Sequence, residues 1–166
     1  MPYLSFQLES PMPPEAAAER LRAVTRTPRG FLDSLARRPV GADYPFQFVG
    51  KVEGDRFKLR REIGANSYNS FLPVIRGRID SSGGPTRVNV RMFLHPLVCM
   101  FMLFGLGVLG MAIVEDALER RASFPLIGFF LFGLGLLIVG FFPEAHLARR
   151  LITSAVLGED SLKPPH

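Results

Sequence analysis

The sequence predicts an α+β fold: an antiparallel sheet with an N-terminal strand and helix and a C-terminal helix, carrying a two-helix transmembrane hairpin. Two observations lead to this prediction. Apolar and polar side chains alternate with a period of two through much of residues 46–94, which is typical of an antiparallel sheet with one solvated face. Two runs, Leu97–Val114 and Ala122–Pro143, contain no charged residue, and each is about long enough to cross a bilayer.

The N-terminal region predicts a strand followed by a helix. Residues Tyr3–Leu8 alternate weakly between apolar and polar side chains, and three prolines within residues 11–14 end the strand. A helix is predicted over Pro14–Val24, because proline suits the first helical turn and apolar residues then recur at helical spacing. A second short helix is expected at residues 31–35.

Four more strands are predicted from period-two alternation, at Phe46–Val52, Arg56–Ile63, Phe71–Asp80 and Thr86–Leu94. The triplet at residues 53–55, with its central glycine, predicts a tight hairpin turn between the first two of them. Each of these strands carries one apolar and one polar face, so the sheet requires a cover on one side only.

The N-terminal helix and the amphipathic stretch Glu144–Leu157 are the two candidates for that cover. Side chains of one parity should face them and side chains of the other parity should face water. We therefore expect Phe57 and Leu59 to be buried, and Lys58 and Arg60 to be exposed.

The uncovered face of the sheet is predicted to be basic, since residues 46–96 hold nine basic and four acidic side chains. Alternation places these basic residues on it: Lys51, Arg56, Lys58, Arg60, Arg76, Arg78, Arg87 and Arg91. Glu62 and Asp80 are expected beside them. One interpretation is a solvated face. The other is contact with anionic lipid headgroups, where each cation contributes about 1 kcal/mol. Nucleic acid is not expected, because this face has no ladder of aromatic side chains to stack bases.

Basic residues near the two apolar runs predict the orientation of the hairpin. The flanks outside the hairpin hold six Lys or Arg within about twenty residues, and the connection Glu115–Arg121 holds two, which favours both termini in the cytoplasm. The absence of a secretory signal in the first residues agrees. We expect a cytoplasmic α+β domain at 1–94, the hairpin at 95–143, and a cytoplasmic helix and tail at 144–166 of a multi-pass cell-membrane protein.

Three segments carry a resemblance: Phe48-Val49-Gly50-Lys51-Val52, then Asn69-Ser70-Phe71-Leu72-Pro73 with the residues up to Ile79, and Arg91-Met92-Phe93-Leu94-His95-Pro96 leading into a span. In these segments the chain resembles a family of small uncharacterised bacterial membrane proteins. The resemblance implies a bacterial source, hence the inner membrane, and this topology, and it implies no activity. The order strand, helix, strands and final helix is also similar to a reduced helix-grip fold interrupted by a membrane hairpin.

Few residues suggest chemistry. The single cysteine, Cys99, excludes a disulfide within the chain and a thiolate zinc site. No catalytic triad pattern, phosphate-binding loop or HExxH motif occurs. His95 and His146 flank the two spans and, with Glu144, form a conceivable metal or proton site. We interpret both histidines as interfacial side chains and expect no cofactor, no metal and no enzymatic activity.

Small residues predict close contacts. Gly50 and Gly77 are expected at bulges or under close packing within the sheet. Gly128 and Gly135 lie seven residues apart, as do Gly133 and Gly140, so each pair lies nearly on one helix face. They are expected to be packing notches inside the hairpin; the alternative is a face for self-association. Asn69 is expected to stabilise a turn between strands.

These features together predict a non-catalytic integral membrane protein whose cytoplasm-facing domain binds a partner or ligand. The expected partners are the bilayer, anionic headgroups and another membrane protein. The alternative is a small-ligand or lipid-binding module with a pocket between sheet and helix. A deep cavity with convergent polar groups favours the alternative, and a filled core favours the first interpretation.

Overall fold

A computed structural model describes residues 2–28, 47–62, 69–80, 84–121 and 124–158. The short helix predicted at 31–35 lies outside them. The described elements follow one another as β1 (Tyr3–Ser10), α1 (Pro14–Ala23), β2 (Thr25–Arg26), β3 (Phe48–Glu53), β4 (Arg56–Arg61), β5 (Val74–Asp80), β6 (Thr86–Phe93), α2 (Pro96–Leu118) and α3 (Phe124–Leu157). The predicted α+β class is confirmed.

The six strands form one sheet in the order β1-β6-β5-β4-β3-β2. Every neighbouring pair is antiparallel except β2 and β3, which are parallel. The two-residue strand β2 was not predicted, because a segment that short has no periodicity to detect. The predicted hairpin turn joins β3 to β4, with Gly54 in the left-handed region at φ 55°, where glycine carries no Cβ penalty.

The predicted alternation along β4 is confirmed. Phe57 and Leu59 are only 4% and 2% exposed, whereas Lys58 and Arg60 are exposed. Gly77 of β5 lies directly opposite Phe57 in the register, and a Cβ built on it would come within 2.0 Å of the Phe57 ring. The expected close packing at this glycine is therefore confirmed, and the ring of a neighbouring strand is the cause.

Strand β5 begins three residues later than predicted, at Val74 instead of Phe71. The side chain of Asn69 accepts a hydrogen bond from the Phe71 N–H at 2.9 Å, which stabilises a local turn. Pro73 has no N–H to donate to a neighbouring strand. Residues 71–73 therefore turn into the strand and leave the Phe71 side chain free for another contact.

Helices α1 and α3 cover the apolar face of the sheet, as predicted. Leu21 of α1 and Ile152 of α3 are both completely buried, in one cluster with inward-facing residues of β3, β4, β5 and β6. The Ser10 hydroxyl at the end of β1 donates to the carbonyl of Val156 at 2.9 Å. The far end of α3 is thus fixed to the far end of the edge strand.

Helix α2 and the first half of α3 are apolar and exposed. Only 6% of the most apolar window of each helix is buried, whereas the core helix of a soluble protein is mostly buried. Both helices are long and apolar enough to cross a membrane. They pack against each other, and a Cβ built on Gly133 of α3 would lie 3.1 Å from the Leu106 side chain of α2. The predicted notch at Gly133 is therefore confirmed. The same prediction is wrong at Gly128 and Gly135, where a built Cβ has no described atom within 4 Å.

The ends of the hairpin differ slightly from the predicted connection. Helix α2 continues through Glu115 to Leu118. It closes with hydrogen bonds from Arg120 N–H to the Ala117 carbonyl and from Arg121 N–H to the Asp116 carbonyl, with Arg120 at φ 56°. This is the hydrogen-bond pattern of a Schellman C-cap.

Helix α3 runs without a break from the hairpin into the domain. It spans 34 residues and contains Pro143. The sequence pattern predicts the apolar span and the amphipathic C-terminal stretch as separate features. In the structure they are two halves of one helix.

Phe57→Ala should destabilise the protein far more than Lys58→Ala. Removing a buried phenylalanine costs about 3–5 kcal/mol, and a change at an exposed strand position costs about 0.5 kcal/mol or less. At this chain length we expect the melting temperature of Phe57→Ala to fall by roughly 10 °C. Cys99, the lone cysteine, is buried, so a thiol-reactive fluorogenic dye reports unfolding in detergent. Equal effects of the two substitutions would contradict the assigned faces.

Candidate functional site

The basic residues predicted for one face of the sheet all lie there, and all are exposed. They occupy the face opposite α1 and α3, which no described helix covers. They are Lys51 on β3, Arg56, Lys58 and Arg60 on β4, Arg76 and Arg78 on β5, and Arg87 and Arg91 on β6.

The strand register aligns four of these cations in a single row. Lys51 lies opposite Lys58, Lys58 opposite Arg76, and Arg76 opposite Arg91. We call Lys51, Lys58, Arg76 and Arg91 the cationic row. Neighbouring strands lie about 4.8 Å apart, so four positive charges occur within about 14 Å.

The rows on either side of the cationic row differ in charge. The row nearer the hairpin is mostly uncharged and comprises Tyr3, Val49, Arg60, Val74 and Phe93. The rows farther from it contain carboxylates. Asp55 binds Arg78 at 2.8 Å and lies 3.9 Å from Arg56, and Glu9 lies 3.5 Å from Arg87.

The cations of the cationic row have little internal compensation. Lys51 reaches Glu53 of the next row at 3.6 Å, with both side chains mostly exposed, and such pairs contribute little. The Arg76 guanidinium lies over the Phe93 ring at 5.1 Å from its centroid. Lys58 and Arg91 have no ion-pair partner within the described part of the chain.

The expected position of Glu62 on this face is wrong. Strand β4 ends at Arg61, so alternation no longer applies to the next residue. The Glu62 carboxylate is buried and accepts hydrogen bonds from Arg26 at 3.1–3.3 Å, with side-chain exposures of 4% and 9%. Because Arg26 belongs to β2, this pair joins β2 to the end of β4, and removing one partner of a buried pair costs about 3–5 kcal/mol. The buried Glu62 carboxylate adds no negative charge to the basic face.

A second set of contacts joins the sheet to α3 where the helix leaves the hairpin. The Phe71 ring lies against Gly140, since a Cβ built on that glycine would come within 2.6 Å of it. Asn69 donates to the Gly140 carbonyl at 3.1 Å. Arg61 binds Glu144 through two hydrogen bonds, at 2.5 and 2.9 Å. We call these three contacts the clamp.

The clamp brackets Pro143. Proline removes a helical hydrogen bond and is a frequent cause of kinks. Here Gly140 precedes it and Glu144 follows it, and each is bound to the sheet domain. Both side chains of the Arg61–Glu144 pair are 19% exposed, so removing either partner would leave a largely desolvated charge and should cost more than at an exposed pair. The missing side chain at Gly140 makes room for Phe71 of the domain, so the expectation that Gly140 packs inside the hairpin is wrong.

Two of the three residues considered for metal or proton chemistry, His95 and Glu144, have other partners. The Nδ1 atom of His95 accepts from the Leu97 N–H at 3.3 Å and caps α2. Glu144 binds Arg61, and His146 is exposed. Among the described residues no group of three His, Cys, Asp or Glu side chains is placed to hold a metal ion.

An apolar groove of about 790 Å³ lies between the turn before β5 and the start of α2. It is lined by Ser70, Phe71, Leu97, Val98, Met100, Phe101, Met102 and Phe104. Most of these α2 side chains are exposed. The groove is therefore separate from the space between sheet and helices, where the buried side chains form one continuous cluster.

Comparisons with protein-family models, with curated proteins and with solved structures returned no match. The clamp was not foreseen from the sequence, although one signal existed. Arg61 has the parity of Phe57 and Leu59, so a charged residue occurs at a core-facing position of β4. A charge at such a position requires a partner, and Glu144 supplies it.

Gly140→Ala should destabilise the protein, and Gly135→Ala should not. Alanine favours a helix over glycine by about 1 kcal/mol, and no atom lies within 4 Å of a Cβ built on Gly135. At Gly140 the added methyl group meets the Phe71 ring, and such overpacking costs about 1–3 kcal/mol. Melting temperatures from Cys99 labelling compare the two variants.

Replacing Phe71 by Ala in the Gly140→Ala background tests the cause. Gly140→Ala should cost much less stability in a Phe71→Ala background than in the unmodified protein, because the ring that meets the methyl group is gone. A Gly140→Ala variant as stable as Gly135→Ala would show that Phe71 does not pack tightly against α3.

Proposed function

We propose that the protein is a non-catalytic integral membrane protein whose α+β domain is held against the cytoplasmic surface of the membrane as a platform for a partner or ligand. One observation carries this proposal. Helix α3 contributes one half to the apolar hairpin and the other half to the core of the domain.

The domain depends on α3 for its core. Phe141, Ala145 and Ile152 are all completely buried against the sheet. Burial of an apolar side chain such as Phe or Ile stabilises by about 1.5–3 kcal/mol. A sheet without this helix would expose its apolar face, so the domain depends on α3, the same helix that forms half of the hairpin.

The proposed orientation rests on charge. Six basic residues flank the hairpin on the side of the domain and two lie in the connection, which favours the domain on the cytoplasmic side. Both ends of the hairpin connect to the same domain, since α2 follows β6 and α3 packs on the sheet. The resemblance of the segments from Phe48 to Pro96 to small bacterial membrane proteins supports a bacterial inner membrane as the location.

The engaged state of the polar side chains supports a non-catalytic role. Glu62 binds Arg26, Glu144 binds Arg61, and Asn69 binds the backbone of α3. Each of these three groups makes a structural contact between elements of the domain. The continuous cluster of buried side chains between sheet and helices also favours a platform over a module with a pocket there.

Reporter fusions test the orientation. A reporter that is active only outside the cytoplasm should be active when inserted between Glu119 and Arg120, and silent when fused after Lys163. A fluorescent reporter that matures only in the cytoplasm should give the reverse pattern and serves as the control. An active external reporter after Lys163 would contradict the orientation, and with it the cytoplasmic platform.

A further inference from the structure

The cationic row is electrostatically unfavourable without a counter-charge. Like charges directly opposite each other on neighbouring strands destabilise a sheet, and the row contains three such pairs in succession. The strand register places no acidic side chain in the cationic row. An anionic ligand that neutralises the row as a whole would relieve this repulsion.

The order of the rows indicates which ligand. Successive rows on one face are two residues apart, or about 7 Å. Starting from the hairpin, a mostly uncharged row with Phe93 comes first, then the cationic row, then rows in which Asp55 and Glu9 bind arginines. Within the described part of the sheet face, the cations of the cationic row without an ion-pair partner, Lys58, Arg76 and Arg91, thus lie in the zone next to the hairpin.

The bilayer presents a complementary order. Its polar headgroup layer is roughly 5–7 Å thick on each side of the hydrocarbon core. Arg91 precedes the first residue of α2, Pro96, by five residues, at most about 18 Å of extended chain. Arg76 lies over Phe93, so its apolar stem follows apolar surface while the charged group stays polar, as amphipathic side chains do at membrane interfaces.

We propose that the cationic row binds the phosphate-bearing headgroups of anionic lipids in the membrane that the hairpin crosses. This rests on the proposed function in one respect, the insertion of the hairpin in a bilayer. It does not depend on which side of the membrane the domain occupies. Each Lys or Arg near an anionic surface contributes about fivefold in affinity.

The test uses the full-length protein in detergent, with unfolding followed by Cys99 labelling. Added phosphatidylglycerol should raise the melting temperature, and added phosphatidylcholine should not, because a ligand that binds only the folded state stabilises it. The shift should shrink between about 0.1 M and 1 M salt, as the Debye length falls from about 10 Å to about 3 Å.

A matched pair of variants locates the effect. The row variant replaces Lys58, Arg76 and Arg91 by Gln. The control variant replaces Arg56, Arg78 and Arg87 by Gln, which removes the same charge from the same strands β4, β5 and β6. The row variant should bind phosphatidylglycerol roughly a hundredfold more weakly, and the control variant should keep most of the shift.

The melting temperature without lipid gives a second readout. The row variant should be at least as stable as the unmodified protein, since its substitutions relieve repulsion. A lower value would mean that the cations stabilise the fold by themselves, which would overturn the argument for a missing counter-charge.

Three further outcomes would overturn the proposal. They are equal loss of the lipid shift in both variants, no loss in either, and an equal shift from inorganic phosphate or a short single-stranded oligonucleotide at the same phosphate concentration. The last would assign the row to a free anion or to nucleic acid. Reporter fusions decide orientation independently, so failure of the lipid contact and failure of the cytoplasmic platform are distinguishable.

Discussion

The packing of the second half of α3 on the sheet is the interaction on which the rest of the structure depends. A sheet with one apolar face must bury that face, and α1, with ten residues, is too short to cover six strands by itself. Helix α3 supplies the remaining cover. Because the same helix begins in the apolar hairpin, the packing that buries the sheet also fixes the position of the hairpin relative to the domain.

The clamp and the cationic row follow from that arrangement. A proline near the junction of the two halves of α3 invites a kink, and the contacts of Gly140 and Glu144 with the domain hold the helix on both sides of it. A domain held in this way keeps one orientation relative to the hairpin, and it would present a fixed surface to a membrane that the hairpin crosses. The order of charges along the sheet can match the layers of a membrane only if the domain keeps one orientation, since a freely tumbling domain would present all of its faces in turn.

Much of this was predictable from the sequence, because it follows from periodicity. The alternation in β4 and β6 identified both faces of the sheet, and uncharged runs identified the hairpin. The contacts that break periodicity were not predictable. Glu62 lies past the end of its strand, where parity has no meaning. Phe71 lies just before β5, and nothing in its own segment indicates that its partner is a glycine on a distant helix.

The alignment of the cationic row was predictable from the sequence only in part. Alternation placed its four members on one face, but only the register determines which residues of different strands lie opposite each other. A shift of two residues between β4 and β5 would have set Lys58 opposite Arg78 or Val74 in place of Arg76. Long-range pairing of this kind depends on the whole sheet and its cover, not on any single segment.

The most direct test of this account is a distance measurement along α3. Spin labels at Leu131 and Arg150, both exposed and on opposite sides of Pro143 in the chain, would be introduced into a Cys99→Ala background in lipid nanodiscs. One continuous helix predicts a single narrow distance distribution near 28 Å along the axis, from about 1.5 Å per residue. A broad or multiple distribution would show that α3 bends freely at Pro143, and would contradict a domain fixed to the hairpin by a shared helix.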